Sequence, residues 1–197
     1  MLITSLKQTT SEKITVCFED GSEVNSTLGV VTDMRLYSGK DLNDEEIGQL
    51  KFNSSKYLAL GKAADLLSRR MMSRKELRDK LIQKGYEEPI AEFCAEKLTE
   101  VGLINDEDYA NAIVRHYYAK SYGAAKIRHE LYRRGISREL SEYAMESIPD
   151  SSDKLDSYIQ KHLPDKEDKK QLNKVVNALF RRGYSWEEIN AAISRYD

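Results

Sequence analysis

Cysteine is scarce. Cys17 and Cys94 are the two in 197 residues, far apart and in no CxxC pattern. A disulfide framework is therefore not expected, and two reduced, packed thiols in a cytosolic chain are. Long hydrophobic runs are missing as well. No stretch approaches the ~18 consecutive apolar residues that a membrane span requires. The opening MLITSLKQTT has no positively charged start followed by an apolar run, so a signal peptide is not expected either. His116, His129 and His162 have no second His or Cys three or four positions further on, the spacing that would favour a metal site. Asn105-Asp106-Glu107-Asp108 opens like a calcium loop. Ala110, however, occupies the sixth position, where such a loop needs glycine. A capped helix start fits these residues better. Patterns of the GxSxG, Walker and GxGxxG type are absent. Asp and Glu are abundant but fall on solvated helix faces. The sequence points away from an enzyme and from any metal or cofactor.

What is present is charge, nearly in balance. Charged residues make up 32% of the chain, hydrophobic residues 40%, and the net charge is −2. That suffices for one or two ordinary domains with a modest core. The balance hides an asymmetry. Residues 1–55 carry 5 Lys and Arg against 9 Asp and Glu, residues 56–134 carry 16 against 12, and residues 135–197 carry 10 against 12. The basic excess sits in the middle, where it would attract a polyanion or an acidic protein face.

Residues 1–55 read as a β-rich extension with a short linking helix. Residues 14–19 alternate strand formers, Asp20-Gly21 follows, and residues 22–28 resume. That is a hairpin signal, because glycine accepts the positive φ of a tight primed turn. Residues 3–8 supply a candidate third strand. Residues 30–36 fit either a strand or a short helix. Asn43 is a candidate N-cap ahead of Asp44, Glu45 and Glu46, opening a helix that runs to about residue 55.

From residue 56 onward the period is helical, and it repeats. Residues 76–86, 126–136 and 174–184 superimpose: Leu77/Leu81, Ile127/Leu131 and Val175/Leu179 are apolar pairs at i, i+4, and Gly85, Gly135 and Gly183 follow four residues later. The glycines are 50 and 48 residues apart, a spacing that marks a tandem helical array. The apolar pairs face a core. The glycines suit the left-handed position that ends a helix, and the basic residue before each suits the negative end of the helix dipole. A further helix follows each glycine, opened by Pro89, by Ser137 and by the capping box from Ser185 to Glu188. Another helix precedes each pair, though it fits the third copy only with a shift. The third middle helix is expected to start after Asp165 and to be longer. The pattern predicts a mainly α protein: three copies of a three-helix unit, over 56–104, 105–149 and 150–197, forming an elongated curved body behind a small β-hairpin-containing extension.

The basic residues recur with the units. Arg69, Arg70, Arg74, Lys75 and Arg78 lie in the first, Arg115, Lys126, Arg128, Arg133 and Arg134 in the second, and Arg181 and Arg182 in the third. Two explanations fit. These are solvated helix faces with dipole pairing, or they form a stripe that tracks a phosphate backbone or an acidic protein face. Tyr117, Tyr118, Tyr122 and Tyr132 are interleaved with them and suit either base stacking or the core.

Residues 64–70, 73–77, 81–86, 98–110, 123–127 and 130–136 together resemble the RecX family of bacterial regulatory proteins. The junction Leu103-Ile104-Asn105-Asp106-Glu107-Asp108-Tyr109-Ala110 is the most specific stretch. The similarity covers about residues 60–197, and the hairpin looks like an extension some members carry. The resemblance implies tandem three-helix repeats and a partner, the RecA recombinase on its DNA filament. In that filament's groove the chain would modulate, mostly inhibit, ATP turnover, filament extension and strand exchange during repair and recombination. It implies no cofactor, no membrane, a monomer, and at most a weak, sequence-independent contact with DNA. The helix–turn–helix pairs around Gly85, Gly135 and Gly183 leave a second possibility, a DNA-binding regulator. A scaffold for an unrelated protein is a third.

Overall fold

The computed structural model describes residues 1–148, 152–163 and 168–195. The chain divides into two compact units, residues 1–104 and 105–197.

The first unit opens with an antiparallel sheet of three strands in sequential order, β1 (Ile3–Gln8), β2 (Lys13–Phe18) and β3 (Glu23–Thr27). Leu6 pairs with Val16, and Val16 with Val24. Alternation along β2 turns Ile14, Val16 and Phe18 into a core shared with Ile3, Val30, Leu42 and Leu50. The hairpin is where the sequence places it, but its turn is of a different kind. Phe18 N–H donates to Ser22 O at 2.9 Å and Gly21 N–H to Phe18 O at 3.1 Å. The loop therefore holds three residues, not the two of a primed turn, and Gly21 at φ +84° closes it. Residues 30–36, ambiguous in sequence, fall partly in the short helix α1 (Leu28–Asp33), whose N-cap is Thr27.

Two helices are expected on either side of residue 55, and the structure has one. Helix α2 (Asp44–Leu67) starts at an Asn43–Glu46 capping box and continues for 24 residues. Asn53-Ser54-Ser55 resembles a break but is not one. The Ser54 hydroxyl is buried and donates to Ser26 Oγ on β3 at 2.8 Å, so its polarity is satisfied without ending the helix. The first half of α2 gives Ile47 and Leu50 to the sheet core; the second half gives Ala59 and Ala63 to the next one. There, α2 packs with α3 (Arg74–Gln83) and α4 (Glu88–Glu100) around Leu77, Leu81, Ile90, Cys94 and Leu98. Ser73 and Glu76 form the capping box of α3. Pro89 occupies the second helical position of α4, after Glu88.

The second unit holds two more three-helix groups. One comprises α5 (Asp106–Ala119), α6 (Ala124–Arg133) and α7 (Arg138–Glu146), around Ile113, Val114, Ile127 and Leu131. Asn105 caps α5, at the site that superficially resembled a calcium loop. The other comprises α8 (Ser152–His162), α9 (Lys169–Arg182) and α10 (Trp186–Arg195), around Leu155, Ile159, Leu179 and Ile189. Helix α9 has 14 residues against 10 in α3 and in α6, and Asp168 caps it. Asp165, the expected starting point, lies outside the described residues. Gly85, Gly135 and Gly183 all have positive φ, as residues that end a helix left-handed should.

The two groups of the second unit are joined through backbone. Helix α6 begins at Gly123, which offers no side-chain cap. Instead Gly123 N–H donates to Arg182 O at 2.8 Å and Ala125 N–H to Gly183 O at 3.3 Å. The unsatisfied carbonyls ending α9 thus meet the unsatisfied amides opening α6, negative dipole end to positive. A Cβ on Gly123 would overlap the Gly183 carbonyl, and one on Gly183 would overlap the Lys126 backbone.

Candidate interaction surface

Each middle helix ends in the same way. Leu81, Leu131 and Leu179 are fully buried. The residue after each one points outward: Ile82 is 37% exposed, Tyr132 79% and Phe180 44%. Exposed Gln83, Arg133 and Arg181 come next. An apolar side chain left in water at one place could be incidental. Recurrence at the equivalent place in three three-helix groups marks these residues as candidate contact elements, and aromatic residues with arginine are the types that dominate protein interfaces. In the third three-helix group Phe180 lies parallel to Trp186, with ring centroids 6.0 Å apart and an interplanar angle of 4°. Trp186 is itself 53% exposed.

The twelve basic residues singled out in the sequence fall into distinct settings. In the first unit, Arg74 on α3 pairs with Glu92 on α4. Arg78 lies 3.7 Å from Glu88 and 3.8 Å from Glu92, so α3 and α4 are bound by charge as well as by their core. Lys75 pairs with Asp79 one turn on, at 2.7 Å. Arg70 reaches Glu76 at 3.4 Å. Arg69 is exposed and has no ion pair among the described residues.

In the second unit, four of them converge or pair on carboxylates. Glu130 is buried on α6 and receives Arg133 at 2.7 Å, Lys126 at 3.3 Å and Arg134 at 3.8 Å. Burial pushes the Glu130 carboxyl up, but hydrogen bonds from Arg133 and Lys126 outweigh it, and the net position is below the ordinary carboxylate value. Arg134 also donates to the Tyr109 hydroxyl at 2.6 Å, tying α6 to α5. Arg128 makes a two-pronged pair with Glu142 on α7, at 3.1 and 3.2 Å. Arg115 is exposed beside a depression lined by Glu107 and Glu146. Arg181 donates to the Asn177 carbonyl of its own helix at 3.2 Å. Arg182 is bound into the joint between the two groups. It donates to Lys120 O at 3.0 Å and to Ser121 O at 3.4 Å, and its guanidinium sits over the Tyr122 and Tyr158 rings. Arg74, Arg78, Arg128, Arg134 and Arg182 thus join one helix to another, whereas Arg69, Arg115, Arg133 and Arg181 are exposed and make no bond to another helix among the described residues.

Tyr132 stands among the aromatic candidates of the sequence, whereas its counterparts Ile82 and Phe180 were passed over. The signal was available: in each aligned segment, an apolar residue directly follows the buried leucine, off the core stripe. Among the described residues, no group of three or more His, Cys, Asp and Glu is placed to hold a metal ion. No helix among them is long and apolar enough to cross a membrane. Both cysteines are free and buried, and burial pushes the Cys94 thiol up to about 11, against the lowering effect of Lys56.

Three three-helix groups, each with an exposed apolar residue directly after the buried leucine of its middle helix, define a protein built on tandem helical repeats. Family models agree in detail: the first, second and third three-helix domains of RecX match residues 59–98, 105–145 and 157–193. This chain belongs to the RecX family of regulatory proteins. It is 30% identical to the regulatory protein RecX of Caldanaerobacter subterraneus over 156 residues, covering 79% of either chain. It is 36% identical to that of Pseudomonas tolaasii over 140 residues, covering 68% of this chain and 89% of the relative. The match to the Bacillus subtilis protein is 26% over 201 residues, but it covers 98% of this chain and 75% of the relative, so it takes in the sheet too. A crystal structure of regulatory protein RecX shares the fold with a TM-score of 0.73 at 20% identity, over 98% of this chain and 99% of that one. RecX from Lactobacillus salivarius matches with a TM-score of 0.62 at 26% identity, over 71% of this chain and 95% of that one.

Proposed function

We propose that this chain binds the RecA recombinase on its DNA filament and restrains ATP turnover, filament extension and strand exchange, acting in the cytoplasm as a monomer without a cofactor. The observation that carries this is the recurrence of Ile82, Tyr132 and Phe180 at one position of the repeat, in a chain of the RecX family. A filament presents the same protomer face at regular intervals. A partner that repeats its own contact element can engage several faces at once, and linked contacts raise avidity well beyond that of any single one. Arg133 and Arg181 beside the aromatic rings add attraction to an acidic protein face.

The test is the DNA-dependent ATPase of the host's RecA with purified chain added at up to equimolar amounts. ATP turnover should fall, and filaments should shorten. Replacing both Tyr132 and Phe180 with alanine should weaken the effect by about tenfold or more, on the scale of interface aromatics. Unchanged ATPase, strand exchange and filament length would sink the proposal.

The alternative of a helix–turn–helix DNA reader is less well supported. The second helix of each pair would enter the major groove N-terminus first. Those first turns carry Glu88 in α4, Glu139 in α7, and Glu187 and Glu188 in α10. Acidic residues there would enter a groove whose flanking phosphates repel them.

A further inference from the structure

A cleft in the first unit lies between the sheet and the second half of α2. It encloses about 640 Å³, within the range of ligand pockets. One wall is the end of the sheet, with Glu12, Lys13 and Asn25; the other is α2, with Gly61, Lys62 and Asp65.

The charges of this cleft are unpaired. Each wall carries one cation and one anion, Lys13 with Glu12 on the sheet side and Lys62 with Asp65 on α2. Glu12, Lys13 and Asp65 are exposed and Lys62 is half-buried. None of the four has an ion pair among the described residues. Opposite charges on the two walls have not closed on each other, which leaves room for a ligand carrying both signs. The strand edge at the cleft is free as well. Phe18 N–H donates to Ser22 O, and Leu28 N–H to Glu12 O, at the two ends of the β2–β3 pair. Bonds in an antiparallel pair fall on alternate residues. Val24 and Ser26, opposite Val16 and Ile14, therefore carry the ladder, and the N–H and C=O of Asn25 between them point away from β2. Asn25 is exposed, and its backbone makes no other hydrogen bond among the described residues. On α2, a Cβ at Gly61 would meet nothing within 4 Å. Glycine weakens a helix interior relative to alanine, and no packing contact requires it here; it leaves the helix wall of the cleft bare.

We propose that this cleft binds an extended peptide segment of another protein, added to the sheet beside β3, with an acidic and a basic side chain turned toward the walls. The backbone amides of an added strand pair with a free edge, and its side chains two residues apart lie on one face. A segment with Lys and Glu two apart offers both signs to walls that carry both. A segment of one sign meets a like charge on each wall. The site goes beyond the RecA reading: Ile82, Tyr132 and Phe180 do not line it, and its occupancy does not require RecA.

The test uses the full chain and capped, fluorescent five-residue probes. Thr-Lys-Thr-Glu-Thr or its reverse should bind, shifting the Asn25 amide resonance and slowing its hydrogen exchange. Thr-Lys-Thr-Lys-Thr and Thr-Glu-Thr-Glu-Thr should bind about tenfold more weakly. N-methylation of alternate amides, in two forms offset by one residue, should abolish binding in the form whose blocked amides face β3 and spare it in the other. Lys62→Glu should turn the preference toward the doubly basic probe, a swap that loss of folding cannot produce. Gly61→Gln places a better helix former in the cleft; it should keep the native circular dichroism spectrum and abolish binding. Five results overturn the proposal: no binding of either mixed probe at millimolar concentration, equal loss with both N-methylated forms, an unchanged preference in Lys62→Glu, full binding by Gly61→Gln, or concentration-dependent self-association that Gly61→Gln removes. The last would make a second copy of the chain the occupant.

Discussion

Helices α3 and α6 are counterparts in the repeat, and they are started by different means. Helix α3 is capped by its own Ser73 and Glu76, whereas α6 is capped by carbonyls from the neighbouring group, Arg182 O and Gly183 O. A local cap makes a group self-sufficient. A borrowed cap makes two groups mutually dependent, because the amides of one and the carbonyls of the other are satisfied together. The same division appears in the charges. Around α3, arginines meet glutamates of the next helix; at the α6–α9 joint, Arg182 meets backbone.

The sharpest way to break this comparison is through glycine. Gly85 and Gly183 both have φ +90°, but a Cβ on Gly85 meets nothing within 4 Å, while one on Gly183 meets the Lys126 backbone. Gly183→Ala should cost about 3–5 kcal/mol, backbone strain plus overlap. Gly85→Ala should cost about 1–2 kcal/mol, strain alone. Chemical denaturation measures both, and equal losses would deny the joint its role. Gly123→Ser sharpens the point further. It supplies the N-cap side chain that α3 already has, so a free α6 would gain stability. The joined α6 should lose it, by about 1–3 kcal/mol, because the new Cβ overlaps the Gly183 carbonyl.

Glu130→Gln comes next, at about 2 kcal/mol near neutral pH, since three cations lose their common partner. The sign of its pH dependence follows from a carboxyl held below its ordinary value of 4.5. Its contribution is full above that value and is lost as pH falls through the lower, folded-state position. Acid unfolding of the parent should therefore be steeper below about pH 4.5 than that of Glu130→Gln, which lacks the group. Ser73→Ala should cost about 1 kcal/mol, confined to the first unit. Smallest of all, Lys75→Ala should cost no more than about 0.5 kcal/mol, because its partner Asp79 is one turn away on an exposed face. Hydrogen exchange of the α3 amides would register the Ser73 effect even where global stability barely moves.

The repeat was legible because its signals are local. Apolar pairs four residues apart, a glycine after each helix and Ser73, Ser137 and Ser185 before the next ones need no knowledge of tertiary structure. What escaped is non-local. Nothing in residues 120–126 announces that Gly123 must accommodate the carbonyl of Gly183, and Lys120 comes beside Lys154 and Lys161 of α8 only where the two groups meet. The sequence suggests a helix that ends near residue 55, and the partner that satisfies Ser54 inside the continuous α2 lies 28 residues earlier. The basic residues were visible as a set but not in their roles. Arg128 differs from Arg181 through Glu142, a residue on another helix.

The continuity of α2 ties the small sheet to the first three-helix group. One rod supplies Ile47 and Leu50 to one core and Ala59 and Ala63 to the other, with no hinge between them. Melting the sheet exposes half of that rod, and fraying then propagates along it into the group beyond. The β extension and the first three-helix group thus form a single cooperative folding unit, and a truncation aimed at removing only the extension would also loosen the packing of α3 and α4.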